Sequence, residues 1–124
     1  MFELTTIVDF EAAHRLAGYE GKCCRLHGHN WRVEVTVAGP KLDGLGMLVD
    51  FRALKQEVAK VIETLDHYYL NEIEPFRALN PTAENIARYV HRELAARLAP
   101  GLGVAVKAVK VWESPHAAAV YREE

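Results

Sequence analysis

Apolar and polar positions alternate from His27 to Ala38. The odd positions are His27, His29, Trp31, Val33, Val35 and Val37; the even ones are Gly28, Asn30, Arg32, Glu34, Thr36 and Ala38. A period of two separates a buried face from a wetter one, so the segment predicts a β-strand whose buried face ends in two histidines. Residues 3–14 predict a second strand, with Val8, Phe10, Ala12 and His14 on one parity. The stretch between them carries two glycines, several charges and no period, and reads as a loop.

After a turn-rich connection over Gly39–Gly46 the period becomes helical. Asp50 suits an N-cap, Leu54, Val58, Val61 and Leu65 form an inner stripe, and Lys55, Glu57, Lys60 and Glu63 face outward. A loop runs from Asp66 to Asn80. Pro81 suits the first turn of a second helix, with Asn80 or Thr82 as its cap. Ile86, Val90, Leu94 and Leu98 are its stripe, and Pro100-Gly101-Leu102-Gly103 ends it. Two strands follow, Val104 to Glu113 and Ala117 to Arg122, joined by Ser114-Pro115-His116. Val104 and Val106 share one parity while Val109 and Val111 share the other, which predicts a bulge near Lys107. The order β-β-α-α-β-β predicts one α+β domain over residues 1–124, a four-stranded antiparallel sheet with two helices on one face.

Fifteen Lys and Arg against seventeen Asp and Glu leave a net charge of −2. That lacks the basic excess of a nucleic-acid-binding module. No stretch approaches the ~18 apolar residues that cross a bilayer. Met1-Phe2-Glu3-Leu4 has no basic n-region ahead of an apolar run, so the expectation is a cytoplasmic chain with neither membrane nor nucleic acid as partner. The two cysteines, Cys23 and Cys24, are adjacent and join each other only through a strained ring, which reads as two free thiols.

Six histidines are present, and three lie within the first 29 positions. His27 and His29 are two apart on one strand face, about 6.7 Å between Cα atoms, a span that lets both rings reach one ion. His14 ends the apolar parity of the neighbouring strand. Three imidazoles with an open fourth position suit a catalytic zinc site. The same residues also suit hydrogen-bonded histidines at the edge of a core. Cys23, flanked by Lys22 and Arg25, is a candidate acid/base or nucleophile, a candidate zinc ligand, or a small loop residue. Asp66 beside His67 is a candidate relay pair, and equally an ordinary helix ending. Glu84 is an acid in a first helical turn. Glu113 has the parity of Val109 and Val111, and an acid on an apolar face needs a partner, such as a ligand with N–H donors. His91, among Arg88, Arg92 and Ala95, reads as solvated, and His116 as a turn residue. The run Gly21-x5-His27-x-His29-x4-Glu34-x4-Gly39 imitates a cupin motif. Glu34 has the wrong parity to join the histidines, and two central helices interrupt any all-β barrel.

Taken together, FEAAH ending in His14, Cys23-x3-His27-Gly28-His29, Gly46-Met47-Leu48-Val49-Asp50-Phe51, Asp66-His67-x2-Leu70-Asn71, Pro81-Thr82-Ala83-Glu84-Asn85 and Trp112-Glu113 resemble the 6-pyruvoyltetrahydropterin synthase superfamily. The three-residue gap after Cys23 and the ending in Asn71 resemble its 6-carboxytetrahydropterin synthases of queuosine biosynthesis. The resemblance implies the tunnelling fold and a homohexamer built as a dimer of trimers. It implies Zn²⁺ on His14, His27 and His29, and 7,8-dihydroneopterin triphosphate as substrate. Cys23 would be the acid/base, Asp66 and His67 its relay, and Glu113 the anchor of the pterin ring. Thr82 and Glu84 would reach that ring from a neighbouring subunit, and Arg15, Lys22 and Arg25 are candidates to meet the triphosphate. The implied products are 6-carboxy-5,6,7,8-tetrahydropterin, acetaldehyde and triphosphate. Alternatives are the pyruvoyl-forming reaction, a related pterin side-chain lyase, or a non-catalytic zinc- or pterin-binding protein.

Overall fold

In a computed structural model, which describes residues 1–123, both N-terminal alternations form strands of thirteen residues. Strand β1 covers Phe2–His14 and β2 covers His27–Gly39. They pair antiparallel without a slip, from Phe2 opposite Gly39 to His14 opposite His27. An unbroken register keeps the two apolar parities on one face. Trp31, Val33, Val35 and Val37 are completely buried there, with Phe10 and Ala12 beside them.

Strand β3 (Ala105–Ser114) pairs with β2, and β4 (Ala117–Tyr121) pairs with β3, giving the antiparallel order β1-β2-β3-β4. Thr36 opposes Ala108 while Val37 opposes Val106, so Lys107 is the extra residue that the parity switch predicts. A second bulge is not apparent in the pattern. Trp112 opposes Ala118 and Ser114 opposes Ala117, which leaves Glu113 unpaired.

Helices α1 (Phe51–Ile62) and α2 (Ala83–Leu102) cover the apolar face. Their stripes, Leu54, Val58 and Val61 on one and Ile86, Val90, Leu94 and Leu98 on the other, are buried, each side chain contributing ~1.5–3 kcal/mol. Asp50 caps α1 by accepting from Arg52 N at 2.8 Å, and Thr82 caps α2 by accepting from Asn85 N at 3.1 Å. With Thr82 as cap, Pro81 stands just outside the helix and not in its first turn. That leaves its carbonyl free for another partner. Gly103, at φ 70°, ends α2 in the left-handed conformation that glycine tolerates best.

His91 departs from expectation. It is 3% exposed, because β4 returns across that side of α2 and Tyr121 meets the imidazole edge-on, 5.1 Å between ring centres. Burial holds its pKa below the ordinary value. His116 is exposed in the turn between β3 and β4. Among the described residues no helix is long and apolar enough to cross a membrane.

Candidate metal centre and its cleft

The ladder between β1 and β2 ends where three histidines meet. His14 faces His27 across the strands and His29 lies two residues further along the same face. Their ring centres are 4.6 to 5.0 Å apart and the planes are steeply inclined, so the ring edges converge. Trp31 forms the floor, edge-on to His14 at 5.0 Å and to His29 at 5.2 Å. Its Nε1 donates to the Ala12 carbonyl at 3.2 Å, which fixes the indole and hence the floor.

Backbone carbonyls decide which nitrogens face inward. His14 Nδ1 lies 2.8 Å from Pro81 O, and His27 Nδ1 lies 2.7 Å from Arg25 O. A carbonyl can only accept, so each Nδ1 carries the proton and each Nε2 presents a lone pair. Those two Nε2 atoms stand 3.0 Å apart. Glu113 Oε1 joins them, 3.3 Å from His14 Nε2 and 3.2 Å from His29 Nε2. His29 Nε2 is itself buried without a hydrogen bond. Electron-rich atoms crowded this closely repel one another unless a cation lies among them. The donor atoms of His14, His27, His29 and Glu113 all lie within 4.8 Å of one another, so the group can hold a metal ion. Ligands at ~2.0–2.1 Å around a tetrahedral ion stand ~3.3–3.4 Å apart, close to the spacings here. The carbonyl behind each ring is the usual outer support of a metal-bound histidine.

Electrostatics agree with neutral rings. His14 is fully buried, and desolvation pushes its pKa below the ordinary imidazole value against the Pro81 hydrogen bond; His29 is lowered mainly by burial too. A lowered pKa keeps the lone pairs available near neutral pH.

An open cleft of about 1030 Å³ runs from this group across the sheet face that the helices leave bare. His29, Glu113, Trp112, Asp66 and His67 are among its walls. Asp66 Oδ1 accepts from His67 Nδ1 at 2.8 Å and from Glu11 N at 3.0 Å, and the Glu11 hydrogen bond is the main cause that lowers its pKa. His67 adopts φ 63°, the left-handed region, and donates its backbone N–H to Glu11 O at 2.6 Å. The Asp66–His67 pair is therefore a built feature and not merely the tail of α1, which ends at Ile62.

A sequence profile described as 6-pyruvoyl tetrahydropterin synthase matches residues 3–124. The chain belongs to this family. A relative from Synechocystis sp., a 6-carboxy-5,6,7,8-tetrahydropterin synthase, is 41% identical, with 90% of this chain and 86% of the relative aligned. One of the same name from Rickettsia felis is 34% identical over 94% of this chain and 96% of its own length. The solved Caenorhabditis elegans 6-pyruvoyl tetrahydropterin synthase superposes with a TM-score of 0.87 at 29% identity, covering 99% of this chain and 96% of that one. The fold is accordingly the α+β tunnelling fold of pterin synthases.

Within this family member the other candidate residues are spread more widely. Cys23 and Cys24 are free thiols in a short 3-10 turn, Lys22–Cys24. Neither sulfur belongs to the histidine group, and neither cysteine lines the cleft. Thr82 is occupied in capping α2, Glu84 is exposed in the first turn, and neither lines this chain's own cleft. Arg15 Nε donates to Cys24 O at 3.2 Å, tying the start of the loop to the cysteine turn. Sequence reasoning missed Glu11, whose backbone bonds to both Asp66 and His67 and whose Oε2 is 3.4 Å from His67 Nε2. It also missed the carbonyls of Pro81 and Arg25. An acid on the polar parity of β1 carries no signal of a partner 55 residues away, and carbonyls carry none at all.

Proposed function

We propose that this chain is a zinc-dependent 6-carboxy-5,6,7,8-tetrahydropterin synthase of queuosine biosynthesis, a single domain over residues 1–124. It would convert 7,8-dihydroneopterin triphosphate and water into 6-carboxy-5,6,7,8-tetrahydropterin, acetaldehyde and triphosphate. The observation that carries this reading is the convergence of three imidazoles, that of His14 fully buried, beside a cleft that also holds an Asp–His pair. The relatives' names supply the pterin chemistry.

His14, His27 and His29 hold the metal. Zinc bound there supplies Lewis acidity that favours interconversion of hydroxyl and carbonyl on the substrate side chain. Cys23 takes and returns the proton of the adjacent carbon. His67, oriented by Asp66, passes that proton on. Glu113 accepts N–H groups of the pterin ring. Thr82 and Glu84 serve a neighbouring subunit's cleft. A hexamer built from two trimers is supported by the sheet edges: among the described residues no strand pairs with the outer side of β4, and β1 meets another segment only near its end, where Ala13 bridges Tyr69 and Glu11 bonds to His67.

Incubation with 7,8-dihydroneopterin triphosphate, followed by mass spectrometry, tests the assignment. The 6-carboxy product with acetaldehyde is expected. The likeness to the Caenorhabditis elegans enzyme motivates a second reading, and pyruvoyl-tetrahydropterin as the sole product would establish it instead. Equal inactivity of the parent and Cys23→Ala, with metal retained in both, would mark a binding protein.

A further inference from the structure

Glu113 occupies an unusual position. It is the residue left unpaired where β3 and β4 slip register, so no ladder hydrogen bond to β4 fixes its backbone. Its carboxylate points to the buried His14 and the half-buried His29, yet the side chain remains 34% exposed and borders the open cleft beside Trp112 and Ser114. Among the described residues its ion-pair partners are His14 and His29 alone.

We propose that Glu113 is a displaceable fourth ligand of the metal centre: its carboxylate closes the coordination shell in the substrate-free protein, gives way to the side-chain hydroxyls of an entering pterin, and then receives the ring's N–H groups. The inference rests on the pterin synthase reading and adds a competition between metal and ring for one carboxylate. Two distances support the first state. Oε1 stands 3.3 Å and 3.2 Å from two different Nε2 atoms, the edge length of a tetrahedron around a small divalent ion. The second contact makes no hydrogen bond, since His29 Nε2 is left without one. An oxygen held that close to an imidazole nitrogen without a shared proton is placed as a co-ligand is placed. The bulge and the open cleft support the second state, because they give the carboxylate freedom to turn and space to enter. Exchange of one donor for another keeps the shell filled while the ring gains its acceptor.

The competition has a thermodynamic signature. A pterin lacking side-chain hydroxyls takes the carboxylate and returns no ligand, so it must weaken zinc binding, and zinc must weaken pterin binding by the same factor. The test titrates Zn²⁺ against a chromogenic chelator for the parent, Glu113→Gln, Glu113→Ala and His27→Ala, with and without unsubstituted pterin. Both Glu113 variants are expected to bind zinc at least ~10-fold more weakly, a loss already typical of residues that merely support a ligand. Pterin is expected to weaken zinc binding by the parent and to leave the Glu113 variants unaffected. Parent-like zinc affinity in Glu113→Gln and Glu113→Ala, or a parent affinity that pterin leaves unchanged or tightens, overturns the proposal. His27→Ala separates the two levels of inference. If it loses zinc while the Glu113 variants do not, the metal centre stands and the fourth ligand falls. If it retains full affinity, the metal centre itself falls.

Discussion

Removing the metal should cost this protein a measurable share of its stability, and the cost should depend on pH in a defined direction. Without a cation, the Nε2 atoms of His14 and His27 face each other at 3.0 Å, with a carboxylate oxygen 3.3 Å from one of them. Zinc at 100 times its dissociation constant stabilises a folded protein by ~2.7 kcal/mol. An unfolding entropy of ~2.1 cal/mol/K per residue, taken over 124 residues, turns that into a rise of ~10 °C in Tm. Thermal unfolding followed by circular dichroism, with zinc and then with excess chelator, reads the shift. Acid should erase it. Burial lowers the pKa of His14 and His29, so below about pH 6.5 the unfolded chain takes up protons before the native one does. Metal-free stability therefore falls as pH drops through that window, until the native rings protonate as well. Protons then compete with zinc for the same lone pairs, and the zinc-induced shift shrinks. Equal Tm values with zinc and chelator at pH 7.5 would refute the reasoning, as would a full shift in His27→Ala.

The other expectations concern single side chains. Cys23→Ala should abolish turnover while retaining zinc, and Cys24→Ala should keep turnover within about twofold, as the hydrogen bonds of Cys24 to Gly21 and Arg15 both run through its backbone; product assays with metal analysis distinguish them. Asp66→Asn removes the charge that orients His67 at 2.8 Å, and turnover should fall by ~10²–10⁴ with unchanged zinc content, as steady-state kinetics would show. Trp31→Phe leaves the Ala12 carbonyl without its indole donor and opens space under the histidines, so urea unfolding should register a loss of ~1–3 kcal/mol. His91→Phe removes a buried imidazole whose ring nitrogens have no hydrogen bond, so the variant's stability should decline less than the parent's between pH 6.5 and 5; parallel curves would contradict this.

Much of the architecture follows from periodicity. The alternation through β2 identifies both the strand and its buried face, since a period of two admits no other regular structure. The parity switch between Val106 and Val109 betrays the bulge at Lys107, because an extra residue must return the valines to the core. Asp50 and Thr82 reveal helix starts through their short oxygen-bearing side chains. The histidine cluster is legible for the same local reason: two of its members share one face, and the third ends an adjacent parity. What the tertiary structure decided involves residues distant in the chain. Glu113 joins His14 only because three strands align and a second bulge, without any parity signature, falls at that point. His91 is buried by Tyr121, thirty positions further on, so its own helix still presents it among charges. Glu11 meets Asp66 across 55 residues, and the proton positions on His14 and His27 depend on carbonyls that every residue possesses. Local pattern reports which face a side chain takes; its partner there is fixed by register and long-range packing, which no local period encodes.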